Sequence, residues 1–217
     1  MVSCTPLLAQ HSVVSEAEYK TACGNGIPAP MRARVQSYRV TTEARSTVEG
    51  RPSTDYQSRS VTSYQDRTKW HSVRESTFGT TKRVSEEIWF DGKRYIKEDA
   101  GGWSEKTPQK YENYGDPTAS ETRYVKIEYR LLPDESFRGR TVKVCEKYEL
   151  AAVKNSGATE ETQRESTSKS WISDEGLLKT ENSFRSVGGS RTSNSWVMTE
   201  WEADPAIKIT VPAVMRQ

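Results

Sequence analysis

A chain of 217 residues with 32 basic and 30 acidic side chains carries a net charge of +2, which excludes the clustered positive charge of a nucleic-acid-binding footprint. Only 33% of residues are hydrophobic, yet six Trp and ten Tyr with near-zero net charge set the sequence apart from disordered chains and fit an antiparallel sheet with a wet face. No apolar run approaches the ~20 residues of a membrane-spanning helix, and three cysteines without a CxxC pair argue against a zinc or thioredoxin-type site.

In chain order, residues 1–14 read as a tail or the remnant of an export signal. Pro6-Leu7-Leu8-Ala9-Gln10 looks like the end of a leader, whereas Val2-Ser3-Cys4 looks like the end of a lipobox, with Cys4 as the acylated residue. An unremarkable tail is the remaining alternative. Residues 15–30 predict a helix and a linker. Ser15 caps, Glu16 and Glu18 suit the first turn, Gly24 ends the helix, and Asn25 to Pro30 is extended. In an oxidising compartment Cys23 and Cys145 can pair, though their separation in sequence leaves the geometry open.

Residues 31–217 read as one antiparallel β domain. Tyr38, Val40 and Thr42 alternate with Arg39 and Thr41, and Gly50 to Ser53 turns. Tyr56 to Tyr64 and Lys69 to Thr77 follow as strands. The tightest meander is Glu86 to Lys106. Ile88-Trp89-Phe90 leads into Asp91-Gly92, a strong two-residue hairpin signal, then into the return strand Arg94 to Lys97, Gly101-Gly102 and Trp103. Thr107 to Ser120 has little periodicity and reads as a long loop. Beyond it Val125, Ile127, Tyr129, Val142, Val144 and Tyr148 are expected on the buried face. Lys126, Glu128, Lys143 and Lys147 are expected to face water, with Cys145 on that polar face. Turns are expected at Pro133-Asp134-Glu135, Asn155-Ser156-Gly157, Asp174-Glu175-Gly176 and Gly188-Gly189, and a last edge strand at Ile207, Ile209 and Val211.

About eleven strands and one convincing helix pose a burial problem, because one face of such a sheet has to be covered. The sheet must curl, split into a sandwich, or leave an apolar concavity. Enzymatic signals are weak. His11 and His71 are the only histidines, there is no GxSxG, P-loop or HExxH, and no carboxylate pair stands out. The reading is of a protein without catalytic residues, metal or cofactor. Trp89, Trp103, Trp171, Trp196 and Trp201 line either a cavity or an ordinary core.

Glu87 to Lys97 followed by Gly102-Trp103 resembles the strand, dipeptide-turn, Tyr-x-Lys, Trp meander of LolA/LolB-like lipoprotein carriers and their LppX relatives. Ser170 to Lys179 resembles that family's Trp-Ile-Asp hairpin, and Glu202 to Pro212 its terminal Ile-x-Ile-x-x-Pro segment. The resemblance implies a mainly β fold: a single curled antiparallel sheet, an incomplete barrel, with one or two covering helices or loops over an apolar hollow. It implies an exported monomer of the periplasm or cell envelope that binds a lipid or lipoprotein acyl chain. Expected lining residues are Val40, Ile88, Phe90, Ile127, Tyr129, Tyr148, Trp196 and Met198, with the helix at Ser15 to Cys23 or the loop at Thr107 to Ser120 as cover. The alternative is a sensory or structural domain of the same fold, like the RseB-type regulators, that meets an envelope protein and holds no lipid.

Overall fold

A computed structural model describes residues 12–24, 37–107, 121–154, 160–174, 176–188, 191–212 and 215. Cys4, the linker to Pro30, the loop beyond Thr107 and the Asn155 and Gly189 turns lie outside these residues.

The described strands are β1 (Ser12–Val14), β2 (Tyr38–Val48), β3 (Tyr56–Tyr64), β4 (Lys69–Phe78), β5 (Thr81–Phe90), β6 (Lys93–Glu98), β7 (Ser104–Lys106), β8 (Glu121–Phe137), β9 (Arg140–Lys154), β10 (Thr162–Ser173), β11 (Gly176–Gly188) and β12 (Arg191–Ala203). They form one sheet in the order β1-β8-β9-β10-β11-β12-β2-β3-β4-β5-β6-β7, all pairs antiparallel. The antiparallel pairing is as expected from the turn residues and period-2 alternation, and the sheet curls without closing into a barrel, as the family resemblance implied. The Asp91-Gly92 hairpin has both residues at positive φ, 47° and 85°, the backbone that a two-residue turn between twisted strands requires.

The helix α1 (Glu16–Cys23) begins at Ser15 in a capping box. Ser15 Oγ accepts from the Glu18 amide, and Glu18 accepts from the Ser15 amide at 2.8 Å. Eight residues are too few for a stable helix in water, so tertiary contacts must hold it. Cys23 is disulfide-bonded to Cys145, and the Tyr19 ring lies 5.0 Å from that of Tyr129. This corrects the expectation of an exposed Cys145 thiol: Cys145 is fully buried because α1 covers its face of β9. Ser12–Val14, read as tail, pairs with Tyr129–Leu131 as an edge strand.

The opposite face carries two apolar patches. In the first, Val142, Val144 and Trp171 are buried against Leu132 and Phe137, and the cluster extends to Leu178, at the β10–β11 register shift, and to Trp201, which pairs with Val40 and so belongs by register to the other face. The β8–β9 hairpin outruns the β10–β11 hairpin, and its tip reaches β12, where Arg138 donates to the Trp201 carbonyl and to Glu200. In the second, Ile88 and Tyr95 are covered by Ile209 of the chain after β12. That segment was expected to be an edge strand. It is instead irregular, bracketed by Pro205 and Pro212, with the Ile209 amide donating to the Gln65 side chain at 2.8 Å. Its apolar side chains do more as a cover than as a thirteenth strand, because Ile88 and Tyr95 would otherwise be wet. The two surfaces are called below the helix face and the tail face.

Two further corrections share one cause. The turn expected at Pro133-Asp134-Glu135 is a bulge inside β8, and the chain reverses at Arg138-Gly139, both at positive φ. The proline is tolerated because β1 covers only Tyr129–Leu131 of the outer edge, leaving no ladder partner for its missing N–H. Phe137 pairs with Arg140, so an unbroken hairpin would set Tyr129 opposite Tyr148. The extra bulge residue sets Glu128 there instead, and from Leu132 back to Lys126 the side chains of β8 exchange faces, until a second register shift between Tyr124 and Lys126. Val142 and Val144 are buried and Lys143 is exposed, as read from the sequence, but Ile127 is 41% exposed, and Val125, the unpaired residue of the second register shift, is 56% exposed.

Two stability predictions follow from these contacts. Replacing Cys23 and Cys145 together by alanine should lower unfolding free energy by about 2–5 kcal/mol, read by chemical denaturation. A loss below about 1 kcal/mol would mean that α1 is held by other contacts. Gly79 and Gly139 both have positive φ, but only at Gly79 would a Cβ meet a backbone atom, the Ser53 carbonyl oxygen at 2.7 Å. Gly79→Ala should therefore cost clearly more than Gly139→Ala, itself about 1 kcal/mol. Equal melting losses would contradict the close approach.

Candidate functional site

Strand pairing assigns every side chain to a face, because directly opposed residues share one. On the helix face the middle of the sheet carries small side chains: Ser170, Thr180, Thr199, Thr42 and Ser60 lie side by side across five strands. Their hydroxyls partner one another in places, as between Thr62 and Ser72 at 2.9 Å. On the tail face the middle carries long charged side chains of alternating sign. Arg130, Glu146, Lys169 and Glu181 oppose one another in sequence across β8 to β11, and Arg59 pairs with Glu43 at 3.4 Å.

One row of the tail face differs. Tyr148, Thr167, Ser183, Trp196 and Arg45 stand side by side from β9 to β2. Two large rings therefore flank a pair of small residues. Lys169 and Glu181 form the adjacent row toward one strand end, and Glu165 and Arg185 the row toward the other. The result is a groove of about 370 Å³ whose lining includes Tyr148, Trp196, Arg45, Arg185, Glu165 and Asn194. It lies in the size range of small-molecule sites, ~300–1,000 Å³.

Its walls are fixed by neighbours. Trp196 Nε1 donates to Glu181 at 2.9 Å, and the Arg45 guanidinium lies 5.3 Å from the centre of the Trp196 ring, an attractive cation–π arrangement. Arg130 lies 5.6 Å from the Tyr148 ring and bonds Glu146 at 2.8 Å and Glu128. Lys126 and Arg130 together hold the Glu128 carboxyl below its ordinary range, and Glu128, then Glu146, raises the Arg130 guanidinium. The Nε of Arg130 is buried without a hydrogen-bond partner, a cost that those charge-assisted contacts offset.

The eight residues expected to line one hollow are divided between the faces. Tyr148 and Trp196 meet in the groove. Met198 shares their face, between Glu181 and Glu43. Ile88 and Phe90 also share it, but belong to the patch under the C-terminal segment, where Ile88 is only 6% exposed. Val40, Ile127 and Tyr129 lie on the helix face, opposite Thr62, Glu149 and Lys147. No single hollow contains all eight. Parity accounts for Val40, and the bulge in β8 for Ile127 and Tyr129. The helix, expected as a cover, sits on the face away from the groove.

Sequence reasoning missed Arg45, Glu165, Arg185 and Asn194. Each alternates as a solvent-facing polar residue would, and no local signal separates a groove wall from an open face. His71 is half-buried and bonds Glu86 at 2.8 Å. The pair borders a second cleft, about 270 Å³, beside Trp103, Lys208 and Ile209. Among the described residues no group of three or more His, Cys, Asp and Glu is placed to hold a metal ion, and no helix is long and apolar enough to cross a membrane.

No protein-family model matches the chain, and no curated protein matches it. Among solved structures, one described as a LolA superfamily protein from Nitrosomonas europaea aligns over 84% of this chain and 90% of its own, with 8% sequence identity and a TM-score of 0.29.

Proposed function

We propose that this is a non-catalytic binding protein of the cell envelope that holds an acyl chain of a lipid or lipoprotein in the tail-face groove. The observation that carries the reading is the row in which Tyr148 and Trp196 flank Thr167 and Ser183. It gives an otherwise charged surface a trough with two large rings at its ends. Each methylene withdrawn from water there contributes about 0.8 kcal/mol, and neither a covalent step nor a metal is needed. The trough has room for one chain rather than several. The Cys23–Cys145 bond fits an exported protein, since disulfides persist in oxidising compartments. Acylation of Cys4 would tether such a carrier to a membrane.

A second reading, a protein-interaction domain, has its own support. Among the described residues the outer edge of β8 from Glu121 to Glu128 has no paired strand, and Tyr124, Val125 and Ile127 are exposed along it. An edge of this kind accepts a strand from another chain. A partner there would slow amide hydrogen exchange at residues 121–128 in envelope extract, and exchange as fast as in buffer would count against it.

The lipid reading is tested with a fluorescent fatty acid. Tyr148→Ala combined with Trp196→Ala should weaken uptake by at least ~10-fold, in line with the 1.5–3 kcal/mol of a large apolar side chain. Melting should change little, because neither ring belongs to a buried patch. Ile127→Asp, on the other face, should bind as wild type does. Wild-type protein that never takes up the probe would end this reading.

A further inference from the structure

The geometry points to an anionic headgroup, carboxylate or phosphate, as the polar end of the ligand, received at the β11–β12–β2 side of the groove. This rests on the groove being the binding site. Arg45 and Arg185 lie on β2 and β11, on either side of β12 and offset by two residues along it, so their backbones are about 12 Å apart. Between them β12 presents Trp196, opposite Arg45, and Asn194, opposite Arg185. Two long cationic side chains thus flank one amide on one face, a spacing from which both can reach an anion seated over Asn194.

Neither arginine is committed elsewhere. Arg45 is exposed, and its guanidinium lies over the Trp196 ring. It makes no ion pair among the described residues. A cation–π contact uses none of the guanidinium's five N–H donors as a hydrogen bond to a carboxylate, and that planar fork matches carboxylate and phosphate oxygens. Arg185 has only a loose contact with Glu165, 3.9 Å between two side chains about half exposed, and such pairs are worth little in water. An anion offering two oxygens competes with it. Among the described residues Glu165 is the one carboxylate in the groove lining, against these two cations, and Glu181 in the row beside it is bound to Trp196 Nε1. Tyr148, at the far end of the same row, is three strands from Trp196, roughly 14 Å. A single chain whose headgroup sits over Asn194 would lie across β11 and β10 with its apolar end toward Tyr148.

The test compares three ligands with one twelve-carbon chain, dodecanoate, dodecyl phosphate and dodecanol, titrated calorimetrically against wild type, Arg45→Gln and Arg59→Gln. Wild type should bind at least one anion about 10-fold more tightly than dodecanol, and the preference should shrink as salt is raised. The better anion names the source: a free fatty acid for dodecanoate, a phosphorylated lipid for dodecyl phosphate. Arg45→Gln should reduce the preference to about 2-fold or less. Arg59→Gln, on the same face but outside the groove, should keep it. Melting curves of both variants check that the fold is intact. Dodecanol bound as tightly as both anions, or a preference that survives Arg45→Gln, overturns the headgroup inference and leaves the acyl-chain reading standing. No binding of any of the three overturns both.

Discussion

A single layer of twelve antiparallel strands exposes two wide faces, and a chain with 33% hydrophobic residues cannot cover either one. Strand ladders satisfy the backbone, but they contribute little net stability unless apolar surface is also withdrawn from water. The molecule meets this constraint locally. The disulfide pins α1 over Cys145 and Tyr129 on one face. On the other, the tip of the β8–β9 hairpin closes over Trp171, and the segment after β12 closes over Ile88 and Tyr95. Elsewhere the tail face carries paired charges, and the helix face carries hydroxyls together with a row of rings, Tyr38, Tyr64, Trp70 and Trp89, in contact across four strands.

Burial on both sides of β9 follows from this arrangement. Val144 faces the Trp171 patch and Cys145 the helix, so consecutive residues are both buried, which a sheet with one wet face does not allow. The disulfide closes a separation of 122 residues, and in the chain-entropy model long closures stabilise most. A short helix with little apolar surface of its own is thereby held where sequence propensity could not keep it.

The bulge at Leu132–Glu135 sets the chemistry of the two faces. It brings Glu128 and Arg130 onto the tail face beside Tyr148 and sends Ile127 and Tyr129 to the helix face. The tail face thereby gains the β8 end of its charge ladder, and Arg130 comes to lie beside the Tyr148 ring at the end of the groove. A site built in this way suits an amphiphile better than a wholly apolar molecule, because the long cationic side chains bring both apolar stems and charged ends.

The sequence alone determined what is local. Turn residues and period-2 alternation specify an antiparallel sheet of sequence neighbours. Asp91-Gly92 specifies its hairpin, and Ser15, Glu18 and Gly24 specify the bounds of α1. These features were legible because each depends on backbone preferences within a few residues. Tertiary structure decided which face each strand turns inward. One added residue at Pro133 reverses that choice, and alternation continues unchanged on either side of it. It also decided that Cys145 is buried, that Ile207 to Val211 covers an apolar patch and does not extend the sheet, and that Arg45 and Arg185 border a groove. Those outcomes depend on what lies across the sheet from each residue. A polar side chain at an alternating position looks the same in sequence whether it faces open water or a groove wall, since the difference lies in neighbours more than a hundred residues away.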